Sequence, residues 1–490
     1  MSEIKKTSIP EEVKDISRVL SSAHFENYIV GGSVRDLLLG IKPKDWDLTT
    51  NAKPEEITPL FENTFYENEY GTVGVVNENP SNESLRVIEV TPYRIESGYS
   101  DFRRPDAVEW GKTIEEDLKR RDFTINAIAY EFESGKIIDP YDGQKDIEKR
   151  IIKTVGDPNN RFGEDALRMI RAIRLASTLG FAIESETQNA IEKNKELLKH
   201  ISKERVRDEF IKIIMSPSPA LALETSRRLG ILEYISPELL KGYGIEQNQA
   251  HAYTVWEHLL RSLEHAVKKD FPLHVRLAAL FHDIAKPHTR KWLNNQWTFY
   301  GHEVVGAKIT KNILNDLKFP KEIIDKVTKL IRWHMFFSDT EEITLSAVRR
   351  MVRNVTPELI WDLMNVRAAD RIGTGRPKES PYRLRKYHSM IDQVMRDPIS
   401  VKQLKVNGED IMKLTGTKGG PHIGYILEIL LSEVLDNPAL NEDGYLTERV
   451  LELHALSPEK LSQLGKEARD RNQGEDEKEI EKIKEKHSVK

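Results

Sequence analysis

Two acidic residues one apart, Asp45 and Asp47, follow a glycine pair and an arginine in YIVGGSVRDLLLGIKPKDWDLTT, residues 28–50. A D-x-D carried by a strand puts both carboxylates on one face. Two carboxylates so placed can hold Mg²⁺ ions that bridge nucleotide phosphates, as two-metal phosphoryl or nucleotidyl transfer requires. Gly31 and Gly32, after the apolar run Tyr28-Ile29-Val30, let backbone N–H groups approach a triphosphate, with Ser33 beside them. The helix opening near Val34 adds its positive dipole end, and Arg35 would sit over the phosphates. A lone D-x-D is common in loops. The rarer signal is the conjunction of strand, Gly-Gly turn, helix with arginine, and second strand bearing the acids.

Two further stretches offer groups for a nucleotide. LKRRDFTINAIAY, residues 118–130, brings Arg120 and Arg121 as cations for a triphosphate, and Asp122 and Asn126 as partners for ribose hydroxyls. RFGEDALRMIRAIRLASTLGF, residues 161–181, carries Asp165 and Arg168 three apart, which makes them neighbours on a helix. A carboxylate accepts from the amino group of cytosine or adenine, and a guanidinium donates to the adjacent ring acceptor. Uracil and guanine present the opposite pattern and are repelled. One such pair could select C and A without a template, although an isolated D-x-x-R is more often an intrahelical salt bridge. Glu89, in VIEVTPYRIE, is a candidate third carboxylate, as general base or metal ligand.

A separate set lies in the middle of the chain: His258, His282, Asp283, His302, His334 and Asp370. A lone buried histidine is usually structural, but six ligands in the order H, HD, H, H, D suit Zn²⁺, Ni²⁺, Mn²⁺, Co²⁺ or Fe in a hydrolytic site, because a metal lowers the pKa of bound water.

The elements that must position these groups follow from periodicity. From Glu26 to about Pro140, β-rich runs (Tyr28–Val30, Gly71–Val76, Leu85–Val90) alternate with helical segments, which predicts a small mixed sheet. Beyond the turn at residues 139–143 the chain reads as helical almost to its end, with breaks at residues 216–219 and 373–381. The fold class expected is α+β. The domains expected are residues 1–140, 141–245, 246–385 and 386–460, with a charged, frayed or disordered terminus over 461–490.

At 490 residues with 39% hydrophobic content and no long apolar run, the chain can bury several cores and is not expected to span a membrane. Zero cysteines and an N-terminus without an apolar signal core suggest the cytoplasm. The net charge of −5 does not exclude an RNA partner, since electrostatic footprints are local. Bases cluster at Arg349, Arg350 and Arg353, from Arg367 through Lys386, and at Lys402 with Lys405. Solvated helix faces would account for them equally well.

The stretch from Tyr28 to Thr50 resembles motif A of the class II tRNA nucleotidyltransferase and poly(A) polymerase family, within the polymerase-β-like superfamily. RRDFTINA resembles motif B, and E-D-x-x-R-x-x-R-x-x-R resembles motif D, the amino-acid template. Residues 142–150 resemble motif C, the hinge, and residues 203–209 (KERVRDE) motif E, a helical support. The resemblance implies that Asp45 and Asp47 hold Mg²⁺, that Arg35, Arg121, Arg171 and Arg174 bind the nucleotide, and that Asp165 with Arg168 reads its base. It further implies tRNA as partner, CTP and ATP as substrates, and 3′-terminal CCA as product. Residues 99–111 match the flexible loop that members able to add the terminal A retain, and Leu404–Asn441 looks like the tRNA-contacting tail. The central set resembles an HD-domain phosphohydrolase, with His302 and His334 fitting the extra ligands of dinuclear members. An A-adding enzyme, a bacterial poly(A) polymerase and, more remotely, a protein uridylyltransferase with an HD domain are the competing expectations.

Overall fold

The computed structural model describes residues 4–66, 71–97, 107–247, 252–293, 295–336, 343–396 and 400–471. The chain divides into two compact units, Met1–Leu240 with Asn315–Phe319, and Lys241–Leu314 with Pro320–Lys490.

Among the described residues of its first 140, the first unit carries nine strands: β1 (Asn27–Val30), β2 (Asp47–Thr50), β3 (Thr64–Tyr66), β4 (Val73–Val76), β5 (Val87–Pro92), β6 (Arg94–Ser97), β7 (Ala107–Trp110), β8 (Ala129–Tyr130) and β9 (Ile137–Ile138). Seven of them form one mixed sheet in the order β3-β4-β5-β2-β1-β8-β9, and β6 and β7 form a separate pair. Only β2 and β5 run parallel in that sheet, in the register Asp47↔Glu89 and Thr49↔Thr91. The burial of β5 alternates, so Ile88, Val90 and Pro92 point into the core while Glu89 shares the opposite face with Asp47. Val30, Tyr93, Ile114, Leu118, Ala127, Ala129 and Val155 form a core cluster on the Asp47 side of the sheet, since Val30 pairs with both Asp47 and Ala129. Of the loop expected over residues 99–111, only the β7 portion and Gly111 lie within the described residues.

Behind the sheet the unit is helical. The helix Leu167–Leu179 buries nine of its residues and ends at Gly180, whose φ of 67° is the left-handed conformation glycine adopts without steric cost.

The second unit is built on the helices Val255–Lys268, Leu273–Phe281, His302–Asp316, Lys321–Trp333 and Ile360–Gly373. Thr254 and Glu257 cap the first in a reciprocal box. At Gly373 a Cβ would lie 2.9 Å from the His258 carbonyl oxygen and would strike Ser262 Oγ, so a bare α-carbon lets the helices Val255–Lys268 and Ile360–Gly373 cross closely enough to bring Asp370 to His258. The breaks expected at residues 216–219 and 373–381 are observed, since helices end at Ile214 and Gly373 and resume at Pro219 and Tyr382. Residues 461–471 of the stretch expected to fray are helical, and residues 472–490 lie outside the described residues.

Candidate active site and candidate metal centre

The D-x-D does not lie wholly on a strand. Asp45 is exposed in the bend before β2, Trp46 turns into the core, and Asp47 opens the strand. The expectation of two carboxylates on one strand face is therefore corrected: the same-face partner of Asp47 is Glu89 on β5. Burial, with Asp45 nearby, pushes the Asp47 carboxyl above its ordinary value, against the pull of Arg121. Crowded carboxylates raised in this way favour a bound cation.

The glycine turn fits against this acid group. Gly31, at φ 75°, starts the helix Gly32–Leu38. A Cβ there would lie 3.1 Å from Arg121 Nη1 and 3.6 Å from Asp47 Oδ2, so the bare backbone makes room for a guanidinium beside a carboxylate. Ser33 Oγ donates to the Val30 carbonyl at 2.8 Å and pins the turn. Arg121 in turn donates to Asp117 at 3.0 Å. Asp117 is fully buried between Arg120 and Arg121; burial works to raise its pKa, but the two guanidinium groups outweigh it and hold the carboxyl below its ordinary value. Sequence reasoning missed this residue, although an acid three and four residues before two arginines is a helix-face signal.

Asp122, Asn126, Arg171 and Arg174 form a ladder. Arg35 Nη1 donates to Asn126 Oδ1 at 2.6 Å, and Asn126 Nδ2 donates to Asp122 Oδ1 at 3.0 Å. Arg171 donates to Asp122 Oδ2 through Nε at 3.0 Å and Nη2 at 2.6 Å. Arg174 Nε donates to buried Glu209 at 2.7 Å. Asp122 is thus committed within the protein, and the expectation that it bonds a ribose hydroxyl gives way to a supporting position: it holds Asn126, which holds Arg35.

Asp165 and Arg168 are not an intrahelical pair. The helix Pro158–Glu164 ends at Asp165, whose φ of −142° breaks the run. The Asp165 Oδ1 accepts from Leu167 N at 3.1 Å and so caps the next helix. Asp165 receives a bidentate bond from Arg205, at 3.1 and 2.7 Å. Arg168 donates to Glu164, to the Arg161 carbonyl and to the Arg120 carbonyl. These bonds use three of its five N–H donors. Each residue is therefore fixed by its own neighbours. Arg205, in the segment expected only as a helical support, is the side chain that orients Asp165, a contact the pattern did not disclose.

In the second unit the six expected ligands converge and all are buried. His282, His302 and His334 each set Nδ1 against the carbonyl three residues earlier, Ala279, Phe299 and Ile331, at 2.9, 2.7 and 2.7 Å. A ring nitrogen facing a carbonyl carries the proton, so Nε2 presents its lone pair inward. His258 Nε2 lies 2.9 Å from His282 Nε2 and 3.1 Å from Asp283 Oδ2. Asp370 Oδ1 stands 3.4 and 3.6 Å from the two imidazoles. The other oxygen, Asp283 Oδ1, lies 3.1 Å from His302 Nε2 and 3.7 Å from His334 Nε2. The donors form two groups sharing Asp283: His258, His282, Asp283 and Asp370, and Asp283, His302 and His334. Burial works against a charged His282, yet Asp283 and Asp370 hold its pKa up at about 10. That demand for positive charge, where imidazole Nε2 atoms and carboxylate oxygens converge within 4 Å, fits a bound transition metal. Lys286 Nζ, 2.6 Å from Asp283 Oδ2, and Arg367 Nη1, 2.6 Å from Asp370 Oδ2, orient the carboxylates; neither was anticipated as part of the centre.

Part of the expected basic surface is internal. Arg349 donates to the Leu435 carbonyl at 3.0 Å, Arg350 pairs with Asp436, and Arg353 pairs with Glu428. These three join the helices Leu345–Val355 and Pro421–Asp436, and only Arg376, Lys378, Arg383, Arg385, Lys386 and Lys402 of the expected clusters, with Lys405 bonded to Glu442, face outward.

Comparison with known proteins matches three family descriptions in chain order: "Poly A polymerase head domain" over residues 27–153, "Probable RNA and SrmB- binding site of polymerase A" over 180–242, and "HD domain" over 250–372. The CCA-adding enzyme of Geobacillus thermodenitrificans (strain NG80-2) is 33% identical over 439 residues, covering 88% of this chain and 94% of that protein. That of Geobacillus sp. (strain WCH70) is 34% identical over 448 residues, covering 91% and 97%. Among solved structures, the Bacillus stearothermophilus CCA-adding enzyme in complex with CTP is 30% identical, with a TM-score of 0.66 over 90% of this chain and 96% of that one.

Proposed function

The chain belongs to the family of CCA-adding enzymes, and from that premise we propose that it builds or repairs the 3′-terminal CCA of tRNA from CTP and ATP, and that its second unit is a metal-dependent phosphohydrolase. The first reading is supported above all by the in-register pairing of Asp47 with Glu89, with Arg121 set against Gly31 beside them. Asp45, Asp47 and Glu89 are the groups that would hold Mg²⁺, whose chemistry is to acidify the attacking 3′-hydroxyl and neutralise the phosphates. Arg121, anchored by Asp117, and Arg35, anchored by Asn126, meet the triphosphate; Arg171 stabilises that anchor through Asp122. Asp165, oriented by Arg205, accepts from the amino group of C or A, and Arg168 donates to the ring acceptor. Asp45→Ala and Asp47→Ala should each lower nucleotide addition roughly a thousandfold or more while tRNA affinity, measured by filter binding, stays nearly intact. Near-normal turnover of either variant would overturn the assignment.

For the second unit, the supporting observation is the shared carboxylate of Asp283 between two ligand groups. Ni²⁺, Mn²⁺, Co²⁺ or Zn²⁺ held there supplies an activated water at neutral pH. The chain's own part is to fix the imidazole tautomers through three backbone carbonyls and to keep Asp283 ionised beside Lys286, which together with His282 outweighs burial and holds the carboxyl well below its ordinary value.

A further inference from the structure

The row of residues that carries the acids of the first unit continues to the edge of its sheet. Val30, Asp47, Glu89, Gly74 and Phe65 are successive cross-strand partners on β1, β2, β5, β4 and β3, so they share one face. Toward β1 that face is covered by the cluster that includes Val30, Leu118 and Ala129. Toward β3 it is open: Val87, two residues before Glu89 and on the same face, is 37% exposed, and Phe65 is 43% exposed. The opposite face of these strands is closed, with Val73, Val75, Ile88 and Val90 buried. Gly74 is what lets the row hold a flat ring. A Cβ there would lie 2.6, 2.8 and 3.1 Å from Cζ, Cε1 and Cε2 of Phe65, so the ring lies over the bare α-carbon. An aromatic laid across a cross-strand glycine shields the edge of a sheet, which accounts for one face of the ring and leaves the outward face without a structural role.

Paired strands lie about 4.8 Å apart, so a ring seated on Gly74 is one strand from Glu89 and about 10 Å from Asp47 along the row. With Arg121 and the Gly31 turn meeting a triphosphate on the β1 side of the acids, in-line displacement brings the attacking hydroxyl from the other side. That is the side on which Glu89, Gly74 and Phe65 follow one another. We infer that Phe65 is the stacking platform for the 3′-terminal base of the RNA being extended, placed so that the hydroxyl of the same nucleotide reaches Glu89 and Asp47. The inference rests on the nucleotidyl-transfer reading of the first unit. Every base has a π-face, so stacking holds an end whose last nucleotide changes with each addition, where hydrogen bonds to one base would not.

The test compares full-length wild type with Phe65→Leu, which still covers Gly74 but offers no ring, and Phe65→Tyr, which keeps the ring. Each adds A from ATP with Mg²⁺ to tRNA ending in CC, and to the same tRNA whose last nucleotide is a ribose without a base. On the intact tRNA, Phe65→Leu should raise KM for tRNA at least about fivefold, with KM for ATP within about twofold of wild type, and Phe65→Tyr should recover most of the loss. On the abasic tRNA, wild type and Phe65→Leu should agree within about twofold, because the stack is already gone. An unchanged KM for intact tRNA in Phe65→Leu, or an equal rise on the abasic tRNA, overturns the inference. If wild type extends neither tRNA, the nucleotidyl-transfer reading fails by itself, and the platform is judged by filter binding of the same two tRNAs. A preference for the intact end that wild type shows and Phe65→Leu lacks upholds it, and the same ratio of affinities in both proteins overturns it.

Discussion

Replacing Asp122 by alanine should weaken the first unit and loosen its grip on every nucleotide. The carboxylate accepts two N–H bonds from Arg171, at 3.0 and 2.6 Å, one from Asn126 at 3.0 Å and one from the backbone of Phe123 at 2.8 Å. Removing one partner of a buried ion pair costs roughly 3–5 kcal/mol. The Arg171 side chain retains 34% exposure, so water compensates in part and the expected loss is near the lower end, about 3 kcal/mol. Asp122→Asn keeps an acceptor for part of this set and should lose less. Because Asn126 holds Arg35 and Asp122 holds Asn126, Asp122→Ala should also raise KM for CTP and ATP together. Burial acts to raise the Asp122 pKa, but Arg171, with Asn126 and Arg168, outweighs it and leaves the native carboxyl well below 3.8. Its contribution is therefore fully present above the unfolded value and is lost as pH falls below that value and through the native one. Wild type should lose stability along that acid limb, and Asp122→Asn should flatten it. Urea unfolding, with hydrogen exchange in the helix Leu167–Leu179 to follow the first unit, measures the loss. A change under about 0.5 kcal/mol with unaltered KM for both nucleotides would refute the ladder as a positioning device.

Asp165→Ala should let UTP compete with CTP, since a good bidentate contact contributes about 1–3 kcal/mol of discrimination; Arg205→Ala should blur selection in the same direction by freeing the carboxylate, and unchanged single-nucleotide kinetics for both would sink the template reading. His282→Ala with Asp283→Ala should abolish metal-dependent phosphate ester hydrolysis and spare CCA addition, with Ni²⁺, Mn²⁺ or Co²⁺ supporting hydrolysis where Mg²⁺ alone fails. Loss of nucleotide addition in a variant whose circular dichroism is unaltered would contradict the separation of the two chemistries.

What the residues disclosed was chiefly type and local spacing. The glycine turn, the RRD cluster and the six candidate ligands were legible because each is a short pattern or an uncommon set of side chains. Long-range register was not: nothing local places Glu89 opposite Asp47, a relation made by β5 docking parallel to β2. The break at Asp165 was hidden because Ala-Leu-Arg-Met are good helix formers, so a capping aspartate inside the run reads as helix interior. Arg349, Arg350 and Arg353 looked like a surface because their partners, Leu435, Asp436 and Glu428, come more than 70 residues later, beyond the reach of any helix-face rule. Lys286 and Arg367 each stand three residues from a ligand acid, a relation visible in the sequence but given no weight without the metal centre around it.

The most direct test of the central claim is incorporation of labelled CTP or ATP, each supplied alone with Mg²⁺, into tRNA ending just before the first C, after one C, and after CC. The expected result is two additions from CTP on the first substrate, one on the second and none on the third, with ATP adding a single A only to the third. Addition of A alone on the third substrate without any C on the others, or a run of A residues on all three, would contradict CCA synthesis and assign the site to an A-adding enzyme or a poly(A) polymerase.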